Sequence, residues 1–239
     1  MERHVAPGRF FGVGVGPGDP ELLTLKAQRI LSQVHVVFVP QTGPGEDSFA
    51  YSIVKGLLDR SKQKVVPLIF PMTKDEGKLG DAWNSAADQI WRTVKEGRDC
   101  ALITEGDPFL YSTFIYIYEI FRERHPEVRL EVVPGISSVF AAASRAGQPL
   151  GTGGDSVAIL SSVSGANKIR ETLESFDTVV VTKIDRSFDS LLKVLEESGL
   201  VERAVWVRRC TTGQEEIVRD IRQLKGRKLD YFSLLIVRK

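Results

Sequence analysis

Three short segments hold the residue types that chemistry on a bound ligand would need. They are Gly12-Val-Gly-Val-Gly-Pro-Gly-Asp-Pro20, Glu105-Gly-Asp-Pro-Phe-Leu-Tyr-Ser-Thr113 and Val133-Pro-Gly-Ile-Ser-Ser138. Each follows an apolar run with the character of a strand, and in open α/β sheets ligands lie outside the carboxyl ends of strands. The first segment does not fit a dinucleotide-binding G-x-G-x-x-G. Counted from Gly12 the third glycine would fall at Pro17, and counted from Gly14 at Asp19. Two prolines also disrupt the tight helix entry that a pyrophosphate requires. No Gly-Lys-Ser/Thr of a P-loop is present. The glycines therefore serve either a turn with positive φ or close backbone approach to some other ligand. In the second segment Asp107 is either a turn residue before Pro108 or a hydrogen-bond acceptor at a ligand. In the third, Ser137 is either a helix cap or a ligand contact, with Ser138 beside it.

The elements that must hold these loops alternate along the chain. Arg9 to Val15 reads as a strand, and Thr24 caps a helix with Ala27, Ile30, Leu31 and Val34 at helical spacing. Val36 to Val39 is a short strand ended by Pro40. Ala50 to Arg60 places Ile53, Val54, Leu57 and Leu58 on one helical face. A strand over Lys64 to Phe70, a helix over Asp81 to Glu96, a strand over Cys100 to Thr104 and a helix over Ser112 to Arg124 follow. Arg129 to Val133 is a strand, Ser137 to Ala146 a helix of small residues, and Val157 to Leu160 and Thr178 to Thr182 are strands around a helix at Lys168 to Ser175. Phe188 to Ser198 is helical, and Ala204 to Arg209, Glu216 to Ile221 and Phe232 to Val237 are strands. Continuous Val/Ile/Leu strands separated by helices predict a mainly parallel sheet in the first half, and the helix-free strands at the end predict a mixed sheet in the second. The chain reads as two α/β domains, 1–125 and 126–239, divided in the polar segment Arg122 to Glu127. The glycine-rich stretch Gln148 to Asp155 is the rival boundary.

Composition narrows the function classes. With 32 basic and 31 acidic residues in 239, the net charge is +1. No global field draws the chain to nucleic acid or to an anionic membrane, so an anionic ligand must be met by local cations. Hydrophobic content of 42% and charged content of 26% are those of a globular protein. No apolar stretch is long enough to span a membrane, and the N-terminus lacks the apolar core of a signal peptide. Cys100 and Cys210 stand alone, which suits a reducing, cytoplasmic compartment. His4, His35 and His125 are scattered, so no protein-bound metal is expected.

Gly14-x-Gly-Pro-Gly-Asp-Pro-Glu-Leu-Leu-Thr24, Gly106-Asp-Pro108 and Val133-Pro-Gly-Ile-Ser-Ser138, in order over essentially the whole chain, resemble the signature of the tetrapyrrole (corrin/porphyrin) methylases, class III S-adenosylmethionine-dependent methyltransferases. Within that family, Tyr111-Ser-Thr-Phe114, Tyr116 and the closing Asp230 to Val237 look like the precorrin-2 C(20)-methyltransferases. The Phe-Gly-Arg-Gly continuation of the uroporphyrinogen branch is missing. The resemblance implies two α/β domains with S-adenosylmethionine in a trough between them, a homodimer, a place in cobalamin biosynthesis, and precorrin-2 or cobalt-precorrin-2 as methyl acceptor. By family position Pro17, Glu105, Gly106, Asp107, Leu110, Tyr111, Ser137, Ser138, Thr182, Val205 and Ser233 would contact the cofactor. Thr182 departs from the apolar residue usual there, and Val205 and Ser233 rest on a loose alignment. An activated methyl sulfonium chiefly needs alignment with its acceptor carbon. No protein nucleophile is required, in keeping with the absence of a Ser-His-Asp or Cys-His constellation. The base that takes the C-20 proton is open among Asp107, Tyr111, Asp47 and solvent. Arg208 and Arg209 are candidate partners for substrate carboxylates, and Tyr116 and Tyr118 for stacking on the macrocycle. A family member acting at another ring position, or a module that binds S-adenosylmethionine or tetrapyrrole without turnover, are the alternatives.

Overall fold

The computed structural model describes residues 6–162, 165–184 and 188–239. His4 lies outside them. The described chain forms two compact units that meet between Ser137 and Ser138.

The first unit is a five-stranded sheet of β1 (Phe10–Gly14), β2 (Val36–Gln41), β3 (Lys64–Ile69), β4 (Cys100–Thr104) and β5 (Leu130–Val133), in the order β3-β2-β4-β1-β5. Every pairing is parallel. The helices α1 (Leu25–Leu31) and α2 (Phe49–Val54) cover one face, against Phe11, Val13, Val37, Val39 and Ile103. The helices α3 (Glu76–Lys95) and α4 (Phe114–Arg124) cover the other, against Phe10, Val36, Phe38, Cys100 and Leu102. Alternate residues of each strand thus feed opposite layers, which is why these strands read as unbroken apolar runs. The chain leaves β1 toward one face and the adjacent β4 toward the other. The carboxyl ends of β1 and β4 therefore flank a point where the winding reverses, the position at which a doubly wound sheet opens to a ligand.

Several boundaries differ from the sequence reading. β2 runs through Pro40 to Gln41, because pairing with β4 ends at Phe38 while pairing with β3 continues. Past Phe38 the strand is unpaired on one side, where a missing N–H costs no ladder bond. α3 begins at Glu76, where the Asp75 carboxylate caps it by accepting from Lys78 N. α2 stops at Val54 and tightens into a 3-10 turn over Lys55–Leu57, which turns Leu57 out to solvent instead of onto the apolar face. The division into units also falls later than the polar segment Arg122 to Glu127. β5 follows that segment and pairs with β1, so it belongs to the first sheet.

The second unit holds α5 (Ser138–Ala146), β6 (Val157–Ser161), α6 (Ala166–Ser175), β7 (Thr178–Thr182), α7 (Phe188–Glu197), β8 (Ala204–Arg208), β9 (Glu216–Val218) and β10 (Ser233–Arg238). Its sheet order is β6-β7-β10-β8-β9. β6 and β7 are parallel, and β10 is antiparallel to both its neighbours. α6 and α7 bury Ile169, Leu173, Leu191, Leu192 and Leu195 against Val179, Val181, Trp206 and Leu235. The small residues Ala141, Ala142 and Ala143 let α5 pack closely on β8 and β10.

Each unit has an ion pair at a strand end. The Arg9 guanidinium lies 2.5 Å from Asp99, and the Arg9 backbone N–H also donates to that carboxylate. In the second unit Arg209 Nε donates to Asp230 at 2.5 Å. Partial burial pushes both carboxyls up. The hydrogen bonds from Arg9, and from Arg209 and the Phe232 N–H, outweigh it, so both titrate below the ordinary carboxylate range. A lowered carboxylate contributes stability that is present above its unfolded pKa and is lost as pH falls through the folded value. The thermal midpoint should therefore hold at neutral pH and drop below about pH 4, the unfolded carboxylate range. Differential scanning calorimetry of Asp99→Asn should show a shallower acid limb. An unchanged limb would remove that pair from the acid response.

Candidate functional site

The three loops singled out in the sequence meet at the carboxyl ends of β1, β4 and β5. Val15 N donates to Thr104 O at 2.9 Å. Beyond it Gly16 and Gly106 exchange backbone hydrogen bonds, at 3.3 Å and 2.8 Å, as an isolated antiparallel bridge. Both residues have positive φ, 79° and 66°, which only glycine adopts without strain. The third loop is pressed against the other two. A Cβ on Gly14 would stand 2.6 Å from both Gly106 O and Gly135 N. One on Gly135 would stand 2.8 Å from the Gly14 backbone and run into Gly106 O. Backbone thus packs on backbone where side chains would normally fill, and this choice of glycine leaves peptide groups at the winding-reversal point. Gly12, deeper in β1, leaves the space that the Phe114 ring occupies.

Asp107 ties the loops together. Its Oδ1 accepts from Phe109 N at 2.8 Å and its Oδ2 accepts from Gly135 N at 3.0 Å. Each oxygen therefore holds a backbone donor, one within the second loop and one in the third. Next to it, Thr104 and Ser112 share a hydroxyl hydrogen bond of 2.9 Å, and Ser112 Oγ accepts from Phe114 N at 3.1 Å, which fixes the start of α4. Between these anchors Tyr111 is forced to φ 53°, a left-handed conformation that a tyrosine adopts at a cost of about 1–2 kcal/mol. Its side chain is 43% exposed. Such an outlier, held by well-bonded neighbours, is characteristic of functional loops.

Of the residues named from the sequence, the first unit brings Pro17, Glu105, Gly106, Asp107, Leu110 and Tyr111 to these adjoining loops, and Ser137 follows β5 from the same end. Pro17 and Ser137 are buried, and Glu105 and Leu110 are half-buried. Ser138 opens α5 in the second unit. In that unit Thr182 and Ser233 stand at one end of the sheet, since Thr182 pairs with Leu234 next to Ser233. Thr182 Oγ1 donates to Leu160 O at 3.2 Å, and Ser233 Oγ is shared between Ile184 O at 2.9 Å and Asp230 O at 2.6 Å. Val205 is not at that end. It is buried opposite Ile236, toward the other end of β8 and β10.

The remaining candidates are already engaged. Arg208 is paired with Glu216 at 3.2 Å and Arg209 with Asp230. Tyr116 stacks on Trp83 at 3.8 Å, and Tyr118 meets Phe109 edge-on at 5.1 Å while its hydroxyl accepts from Arg122. Asp47 is exposed in the segment between β2 and α2. Ser162, Lys183 and Arg209, just past β6, β7 and β8, all have positive φ. Nothing in the residue types announced them, because Lys and Arg carry no preference for that conformation. Among the described residues no three His, Cys, Asp or Glu side chains gather as a metal site, and no helix is long and apolar enough to cross a membrane.

Comparison with known proteins agrees with this geometry. Residues 9–224 match the family Tetrapyrrole (Corrin/Porphyrin) Methylases. The chain is 35% identical to a probable cobalt-precorrin-2 C(20)-methyltransferase of Methanocaldococcus jannaschii, over 97% of this chain and 96% of the relative. It is 33% identical to the cobalt-precorrin-2 C(20)-methyltransferase of Salmonella typhimurium, over 97% of both. The crystal structure of uroporphyrin-III C-methyl transferase from Thermus thermophilus, complexed with S-adenyl homocysteine, superposes with a TM-score of 0.69 at 25% identity, covering 97% of this chain and 98% of that one.

Proposed function

The chain belongs to the tetrapyrrole (corrin/porphyrin) methylase family, and from that premise we propose that it transfers a methyl group from S-adenosylmethionine to C-20 of precorrin-2 or cobalt-precorrin-2 in cobalamin biosynthesis. The observation that carries this reading is the close backbone packing of Gly14, Gly106 and Gly135 at the winding-reversal point, which we take as the floor of the methyl-transfer crevice, in a chain similar over nearly its full length to C(20)-methyltransferases. The three loops carry no lysine or arginine, which suits a sulfonium-bearing adenosyl and amino-acid ligand better than a pyrophosphate. Pro17, Glu105, Gly106, Leu110, Tyr111 and Ser137 in the first unit, and Ser138, Thr182 and Ser233 in the second, would hold it. Val205 lies away from the strand ends and has the weakest claim. When bound, the cofactor supplies an already activated methyl group.

The chain's own residues then have alignment as their task. Asp107 is a positioning residue, because both of its oxygens hold the loops that form the crevice. Tyr111, 43% exposed on a strained loop, is the side chain assigned to reach the substrate, with the proton leaving C-20 passing to solvent beside its hydroxyl. A homodimer and a cytoplasmic location complete the proposal, and sedimentation velocity tests the first.

Regiochemistry tests the central claim. Purified protein is given S-adenosylmethionine with a labelled methyl and either reduced precorrin-2 or cobalt-precorrin-2. Carbon NMR should place one new methyl at C-20, and the faster of the two substrates identifies the route. A methyl at C-2, C-7, C-11 or C-17 would defeat the C-20 assignment and leave the family standing. Absence of transfer to either substrate, with S-adenosylhomocysteine still bound, would make the chain a binding module.

A further inference from the structure

The second unit has a cleft of about 470 Å³ that no step above uses. It lies where β8 begins, at Ala204 and Val205, and where β10 ends, at Arg238 and Lys239. Because these strands are antiparallel, that is the end of the sheet opposite to Thr182 and Ser233. The volume is within the range of small-molecule sites.

The charges around it do not balance. Two acidic residues, Glu202 and Asp220, reach the lining, and Arg222 bridges them, with Nη2 2.8 Å from Glu202 and Nε 2.6 Å from Asp220, so that one of the two negative charges is neutralised; Lys239 brings an ammonium and the terminal carboxylate and adds no net charge. Arg238 is matched by Asp155 at 3.0 Å. Arg219 donates to the carbonyl of Ala146 at 2.7 Å, which fixes its guanidinium without cancelling its charge. Arg203 and Arg219 have no carboxylate within ion-pair distance among the described residues. Both line the cleft, with the Gln148 amide beside them. A guanidinium already held by a carbonyl keeps most of its N–H donors for a planar oxyanion, the geometry in which arginine binds carboxylates and phosphates.

We propose that this cleft of the second unit binds a small polyanion, through Arg203 and Arg219, which the methyl-transfer reading does not use. The shared chemistry is a compact group of oxyanion oxygens carrying at least two negative charges, supplied either by a phosphate ester or by a polycarboxylate. The polar character of the walls argues against a largely apolar ligand.

Isothermal titration of the full chain with inorganic pyrophosphate and, separately, with citrate tests it and distinguishes the two sources. At least one of the two should bind saturably, with affinity falling as sodium chloride is raised. Arg203→Gln with Arg219→Gln should weaken that binding at least tenfold and leave S-adenosylhomocysteine binding unchanged. Should loss of the Ala146 contact destabilise the double variant, Arg203→Gln alone decides, read with a calorimetric midpoint. Silence from both probes, or binding indifferent to Arg203→Gln and Arg219→Gln, would overturn the proposal. The proposed methyl transfer would be untouched by either result.

Discussion

Gly135→Ala should lose S-adenosylhomocysteine binding by more than about 100-fold while the protein still folds. The added Cβ would enter Gly106 O and stand 2.8 Å from the Gly14 backbone. All of these partners are backbone, so no side chain can rotate away. Relief requires the third loop to move off the other two, which breaks the Gly135 N to Asp107 Oδ2 bond and widens the crevice. Overpacking of this kind costs about 1–3 kcal/mol in stability, against a hydrophobic core in the first unit that the change does not touch. Gly80→Ala is the matched control. It lies inside α3 with open space around its Cβ, and it should raise stability by about 0.5–1 kcal/mol. Titration calorimetry and thermal unfolding on both variants settle the matter, and wild-type affinity in Gly135→Ala would sink the account of the crevice.

Asp107→Asn should have the second largest effect. The carboxylate offers an acceptor to Phe109 N and another to Gly135 N. An amide offers only one acceptor and turns its NH₂ group toward the remaining N–H. One backbone N–H then loses a charge-assisted bond, at about 1.5–3 kcal/mol. Affinity for S-adenosylhomocysteine and turnover should fall together, by roughly 10–100-fold, the same energy expressed as an equilibrium ratio. Amide hydrogen exchange at Phe109 and Gly135 should quicken, a change that a purely chemical role would not produce. Loss of turnover with full affinity and unchanged exchange would instead make Asp107 the group that takes the proton.

The sequence exposed the site's address more clearly than its construction. Apolar runs ending in Gly14, Thr104 and Val133 located the three loops, because a buried parallel strand must be apolar throughout and must end where the backbone turns. The absent third glycine at Pro17 excluded a dinucleotide. Asp107 was legible as important, yet its two readings, turn residue or ligand acceptor, both miss the long-range bond to Gly135, which depends on β5 lying beside β1. That same pairing hid the division between units, since a polar run such as Arg122 to Glu127 reads alike whether the next strand joins the old sheet or starts a new one. Periodicity alone puts Leu57 on a buried face, and one tightened turn around Gly56 rotates it out. Val205 rests on position along a strand whose alignment is loose. The left-handed residues Ser162, Lys183 and Arg209 had no local signal, because their conformations follow from where β6, β7 and β8 stop.

The three-way contact of Gly14, Gly106 and Gly135 also sets how this protein can change. Gly14 and Gly135 are each required by the other and by the Gly106 carbonyl, so their substitutions are not independent. Once one side chain has forced the loops apart, the space it opens removes the penalty for the next. Double replacements should therefore cost much less than the sum of single ones. A search by single substitutions meets a wall at Gly14 and at Gly135, whereas a jump that alters the two together meets a much lower one, and Gly106 is held separately by its positive φ. The crevice is inherited, or abandoned, as a unit.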